Sequence, residues 1–162
     1  LNAATAKKEP VVGKPFPPFS TTPGAIKDID GKPLSLDQYK GKAVLLDFWA
    51  TWCPNCMAEM PSLVSAYDKY HSQGFDIIGI SLDHAEDLPK LPQFLTDHKM
   101  PWREYCDGKF WYNALSMKYG VIATPTTYLL DGSGKIFAVN PKSSELIPAI
   151  ETILDAQKPA DL

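Results

Sequence analysis

The chain has 162 residues, 44% hydrophobic and 22% charged, with a formal net charge of −3. That length suits one domain with a sizeable core, and the acidic balance, with Arg103 as the only arginine, leaves no basic stripe for nucleic acid. No apolar run reaches the roughly 20 residues of a membrane helix, three cysteines are too few for a disulfide scaffold, and His71, His84 and His98 are too scattered for a zinc site.

Leu1 stands where an initiator methionine would, so the chain is expected to be processed or cut from a longer one. Residues 1–10 are polar, without an apolar signal core, and read as a flexible lead-in. Any export signal is taken to be gone, and a membrane link would run only through a missing N-terminal anchor. A single domain is expected over residues 11–156, with 157–162 as a tail.

Residues 11–37 are rich in proline and glycine. "DIDGKPLSL" (28–36) predicts a β-hairpin, turning at Asp30-Gly31. "KAVLLDFWA" (42–50) reads as a buried strand. A helix is expected from Pro54, since proline suits the first helical position, to about Ser72, where Gly74 stops it. Cys53 is then its N-cap, and Pro61 falls inside it, where a kink is expected. "FDIIGISLD" (75–83) predicts a second buried strand. An amphipathic helix follows within 85–98, a short strand at 102–106 and a helix over 109–119. "TTYLLD" (126–131) and "KIFAVN" (135–140) form an antiparallel hairpin through "GSG". A closing helix over 143–156 carries Leu146, Ile147, Ile150, Ile153 and Leu154 on one face. The alternation of strands and helices predicts an α/β fold with a mixed sheet.

"FWATWCPNCMAEMP" (48–61) places two cysteines three apart. They can be half a metal site, a structural disulfide or a reactive pair. A four-thiolate zinc site lacks its second pair. Cys53 directly follows a buried strand and opens a helix, and function in open α/β sheets sits beyond the carboxyl ends of strands. Unpaired N–H groups and the helix dipole favour its thiolate and lower its pKa. Cys56, one turn further, is expected to be more buried. The outer sulfur attacks a substrate disulfide, and the inner one attacks the mixed disulfide and releases product. The bland alternative is a packing pair.

"FWATWCPNC" followed by Pro61, and later "TPT" (124–126), resembles the thioredoxin superfamily. The front segment "DGKPLSLDQYKGK" (30–42) is similar to its TlpA/ResA-like, AhpC/TSA-related extracytoplasmic branch. The resemblance covers about Val11 to Leu154. It implies a thioredoxin fold with a central mixed β-sheet flanked by helices and an N-terminal β-hairpin extension. It also implies a thiol–disulfide oxidoreductase acting on protein disulfides or dithiols, recharged by an upstream thiol reductant, with no cofactor beyond the Cys53–Cys56 disulfide and no metal. Members are typically exported or membrane-tethered and serve cytochrome c maturation, copper-centre assembly or general disulfide reduction. A bacterial periplasmic location is therefore expected.

By the same resemblance, Pro125 matches the cis-proline that lies against the cysteine pair, and Thr124 offers backbone hydrogen bonds to an extended substrate. Asp47, six residues before Cys53, matches the buried aspartate that assists proton transfer at the inner cysteine. Its burial predicts a raised pKa, suited to a general base near neutral pH. Glu59, one turn beyond Cys56, matches a glutamate of the exported branch that can relay protons. Trp52 and Pro54 are expected on the docking surface, with Trp49 shared between it and the packing. The intervening Pro54-Asn55 departs from the commoner pattern with proline second, and Met57 replaces a common basic residue. Cys106 reads as a buried, inert thiol, and Trp111 as packing.

Three other functions compete. A peroxiredoxin-type thiol peroxidase needs a threonine and an arginine around one cysteine; Thr51 is only two residues before Cys53, but the lone Arg103 is far away in sequence. A copper-binding assembly protein spaces its cysteines by three residues and adds a histidine, unlike this chain. A docking module of a larger protein would leave its cysteines idle.

Overall fold

The structure, a computed structural model, describes residues 9–160. The flexible lead-in expected over residues 1–10 therefore falls mostly outside the described residues, as does the end of the tail. Among the described residues, five strands form one mixed sheet in the order β3-β2-β1-β4-β5. They are β1 (Ala43–Trp49), β2 (Phe75–Ser81), β3 (Arg103–Tyr105), β4 (Thr126–Leu130) and β5 (Ile136–Val139). β1 pairs parallel to β2, and β2 to β3, while β4 runs antiparallel to both β1 and β5. This is the mixed, helix-flanked sheet of the thioredoxin fold. Every residue of β1 is buried, which is why its sequence is an almost continuous apolar run rather than an alternating one.

Four helices among the described residues flank the sheet: α1 (Pro54–Tyr70), α2 (Leu91–Asp97), α3 (Ala114–Tyr119) and α4 (Ser143–Gln157). α1 starts where Pro54 removes an N–H that the helix does not need. It buries Cys56, Met60, Leu63, Ala66 and Tyr70, one stripe at three- and four-residue spacing. A short 3-10 turn follows, and Gly74 ends it in the left-handed conformation at φ 102°. α1 and α4 pack together, with the Tyr70 hydroxyl donating to Glu151 at 2.8 Å. On the other face, Phe48 meets the rings of Tyr119 and Tyr128, and Phe16 packs against the same two tyrosines.

Two expectations need correcting. The front hairpin is a tight turn with a single bridge, Lys27 to Pro33, and no strands. The Asp28 carboxylate accepts the N–H groups of Asp30 and Lys32, and Leu36 already belongs to a 3-10 turn. The side chain thus takes amides that a ladder would need. The helix expected over 109–119 is broken at Asn113, whose Oδ1 accepts from Leu115 and Ser116 and caps α3. Phe110–Tyr112 before it is a 3-10 turn.

The N-terminal segment touches both edges of the sheet. Gly13 and Phe16 donate to Ile136 and Gly134, and Ile136 donates back to Lys14, along β5. Ile29 donates to the Glu104 carbonyl on β3 at 2.9 Å. Arg103 fastens that second contact: it ion-pairs with buried Asp28 at 2.8 Å and donates to Gln38 and Pro33.

Candidate active site

The carboxyl end of β1 delivers the chain through Ala50–Trp52 to Cys53 at the N-terminus of α1. The Asp83 carboxylate, itself buried, shapes this link by accepting the Thr51 N–H and hydroxyl and the Ser81 hydroxyl. Cys53 and Cys56 form a disulfide with Cα atoms 5.3 Å apart. Cys53 is the N-cap, in extended backbone, and its sulfur accepts the Cys56 N–H at 3.2 Å. A thiolate at that position would meet the same amide and the positive end of the helix dipole.

Cys53 is less open than expected. It is only 4% exposed, against 2% for Cys56. As N-cap, its side chain leans over the first turn toward the Cys56 amide instead of standing out in solvent.

Thr124 and Pro125 come to the same end of the sheet. β4 runs antiparallel to β1 with Thr126 opposite Phe48, so the residues just before β4 lie beside the residues just after β1. The Thr124–Pro125 peptide is cis, and both residues are half-buried. Ile122, shortly before them, is 88% exposed. Trp52 is 40% exposed and rests against Phe110 and Trp111, with ring centroids 5.2 and 5.7 Å away. Phe110 in turn stacks on His84 at 4.2 Å. Pro54 and Asn55 are exposed between the cysteines. Trp52, next to Cys53 in the chain, thus belongs to an aromatic cluster with Phe110 and Trp111. Trp49, by contrast, is wholly buried. It packs and shapes nothing on the surface, because its place inside the all-buried β1 turns it inward.

Asp47 lies in β1 between Gly79 and Thr127 of the flanking strands. Leu45, two residues back and therefore on the same face, lines a small cleft with Thr127, Glu59, Ser62 and Leu63. That face looks toward the turn of α1 that carries Cys56 and Glu59. Burial, and after it the charge of Glu59, raise the Asp47 carboxyl from 3.8 to about 7. Glu59 is half-buried, and partial burial raises its own carboxyl.

Cys106 stands apart from the pair as a free thiol. It is half-buried rather than fully buried, because it ends the short edge strand β3 where the chain turns out. Burial still pushes its thiol up, which disfavours the reactive thiolate. The groups a peroxidase would need are engaged elsewhere: Thr51 binds Asp83, and Arg103 binds Asp28. Two residues of this region are missed from sequence alone, Asp83 and Glu104. The sole signal for each was an acid beside an apolar run.

Residues 12–139, most of the chain, match the AhpC/TSA family. A thiol-disulfide oxidoreductase ResA from Bacillus thuringiensis subsp. konkukian is 35% identical over 132 residues, covering 82% of this chain and 70% of that protein. The ResA of Bacillus subtilis is 30% identical over 139 residues, 85% of this chain and 72% of that one. Among solved structures, a thiol:disulfide interchange protein from Bacteroides sp. superimposes with a TM-score of 0.73 at 28% identity, over 90% of this chain and 91% of that one. The chain belongs to the AhpC/TSA family, as a thioredoxin-fold homologue of the ResA thiol-disulfide oxidoreductases.

Proposed function

We propose that this thiol–disulfide oxidoreductase reduces protein disulfides through Cys53 and Cys56, by way of a mixed disulfide. The observation that carries the reading is the placement of the pair: Cys53 caps a helix at the end of a buried strand, between the exposed Trp52 and Pro54. In the reduced protein, the Cys53 thiolate attacks one sulfur of a substrate disulfide. That bond breaks, and the other substrate sulfur leaves as a thiolate and takes a proton. Asp47 then accepts the proton of Cys56. The new Cys56 thiolate attacks Cys53, closes the internal disulfide and releases the second substrate thiol. Glu59 passes the proton between Asp47 and solvent. Thr124 and Pro125 align an extended substrate segment, while Trp52, Pro54 and Ile122 give it an apolar footing. An upstream thiol reductant restores the dithiol.

We place this work outside the cytoplasm, in the bacterial periplasm, on the likeness to the exported branch. The test combines chemistry and trapping. Cys56→Ser should accumulate mixed disulfides with substrate proteins, and Cys53→Ser should not. At pH 6 the thiol left in Cys56→Ser should alkylate faster than the one left in Cys53→Ser. The reverse order would exchange the two roles, and failure of the wild type to reduce insulin with dithiothreitol present would remove the reductant reading.

A further inference from the structure

Glu104 has no part in the scheme above, yet its carboxyl is aimed at the centre of it. The residue is 1% exposed and lies two strands from Asp47. The register sets Asp47 opposite Gly79, and Gly79 opposite Glu104, so the three form one row across the sheet. Residues paired in this way point to the same face. Glu104 therefore extends over the face that Asp47 occupies, beneath α1. Gly79 carries no side chain, and the Glu104 carboxyl fills that space: a Cβ at Gly79 would collide with both of its oxygens. Adjacent strands lie about 5 Å apart, so a carboxyl above Gly79 stands roughly that far from the Asp47 side chain.

Two indoles hold it there. Trp49, on the same face two residues beyond Asp47, donates to Oε2 at 2.9 Å, and Trp102 donates to Oε1 at 3.0 Å. Each oxygen accepts one N–H. That suits a carboxylate, whereas a carboxylic acid would need an acceptor for its own O–H. The titratable and charged groups that act on the two carboxyls are Glu59 from α1 and Asp83 beyond β2, with the uncharged Thr127 paired to Asp47 on β4. Arg103 adjoins Glu104 but points to the opposite face, committed to Asp28.

We propose that Glu104 is a positioning residue for the redox chemistry: across Gly79 it forms with Asp47 a buried carboxyl pair that holds one proton and one negative charge, the charge on Glu104, and thereby sets the pH range in which Asp47 can take the proton of Cys56. This rests on the reading of Asp47 as the base for Cys56. Two carboxyls so close in a dry site do not ionise together. Burial raises both carboxyls, and the charge of Asp47 raises Glu104 further; it is the hydrogen-bond geometry, an indole N–H on each Glu104 oxygen, that favours the charge on Glu104 and the proton on Asp47. Removing the charge of Glu104 then frees Asp47 to ionise at lower pH.

The experiment is the rate of mixed-disulfide resolution against pH, by single turnover from a preformed Cys53 adduct. Glu104→Gln and Trp102→Phe, which removes one donor, should each move the midpoint of the profile down by about one unit. Asp47→Asn should abolish the midpoint. Should Asp47→Asn keep it, the base reading itself fails. Should Asp47→Asn abolish it while both other variants leave it unmoved, the pair proposal alone is overturned. A 13C carboxyl titration of the reduced wild-type protein decides independently of any variant's folding. Asp47 and Glu104 should each follow the same two midpoints, as coupled groups do, and two independent single steps would overturn the pair.

Discussion

Burial and the Glu59 charge hold the Asp47 carboxyl at about 7 in the folded chain, against an ordinary 3.8, and this ties chemistry to stability. The folded state keeps a proton that the unfolded chain has already released. Its stabilising effect is full below the unfolded value and is lost as pH rises through the folded one. Asp47→Asn should therefore stabilise the protein above pH 7 by about 4 kcal/mol and leave it unchanged below about pH 4. Urea unfolding of wild type and variant across that range checks this, and equal stability at both ends would mean that Asp47 ionises freely. The same substitution should slow closure of the internal disulfide more than the first attack on substrate, which single-turnover kinetics would separate. A residue that weakens the fold and, as proposed, takes the proton of Cys56 is expected to show this opposition between stability and activity.

Among the elements, α3 is short and depends on its cap. Asn113 is fully buried, caps two amides and donates to the Ser81 carbonyl at 3.2 Å. Asn113→Ala should cost about 2 kcal/mol, the loss of a cap together with a buried carbonyl left unpaired. Denaturant midpoints measure it, and a loss under about 0.5 kcal/mol would show that water replaces the amide. This element also marks where sequence reading stops. β1, β2, α1 and α4 were legible because their apolar patterns are long and their ends carry Pro54 and Gly74. The break at Asn113 was not, since asparagine caps a helix or sits within one depending on where its side chain finds amides. Glu104 was illegible for a related reason. Only the register of three strands reveals that it shares a row with Asp47 and that Gly79 leaves the gap between them. Cys53 and Cys56 were found by motif, but the leaning of Cys53 over its helix, and hence its low exposure, came from the backbone at the cap.

For the whole molecule, the N-terminal segment, residues 13–29, is tied by backbone hydrogen bonds to both sides of the sheet. Arg103 is its fastening on the β3 side. Burial pulls the Asp28 carboxyl up, but the Lys32 amide and the Arg103 guanidinium outweigh it and hold the group below its ordinary value. The stability this gives is present above that ordinary value and fades as pH falls through the lowered one. Arg103→Ala should cost about 3 kcal/mol at pH 7, because Asp28 would stay buried without its partner, and less as the solution is acidified. Thermal unfolding at pH 7 and pH 3 tests this. A second expected outcome concerns deletion of residues 1–34, which uncovers β5 and β3 together. The shortened chain should associate with rising concentration in light scattering, and a monomer at all concentrations would show that the edges are harmless. The consequence reaches the partners this protein meets. If the protein reduces misbonded proteins, as proposed above, its clients are partly unfolded and ready to extend any open ladder. With the N-terminal segment bonded along the start of β5 and to β3, part of each sheet margin is taken by the molecule's own backbone, so a client lying beside the disulfide finds less open ladder to extend and is more readily let go.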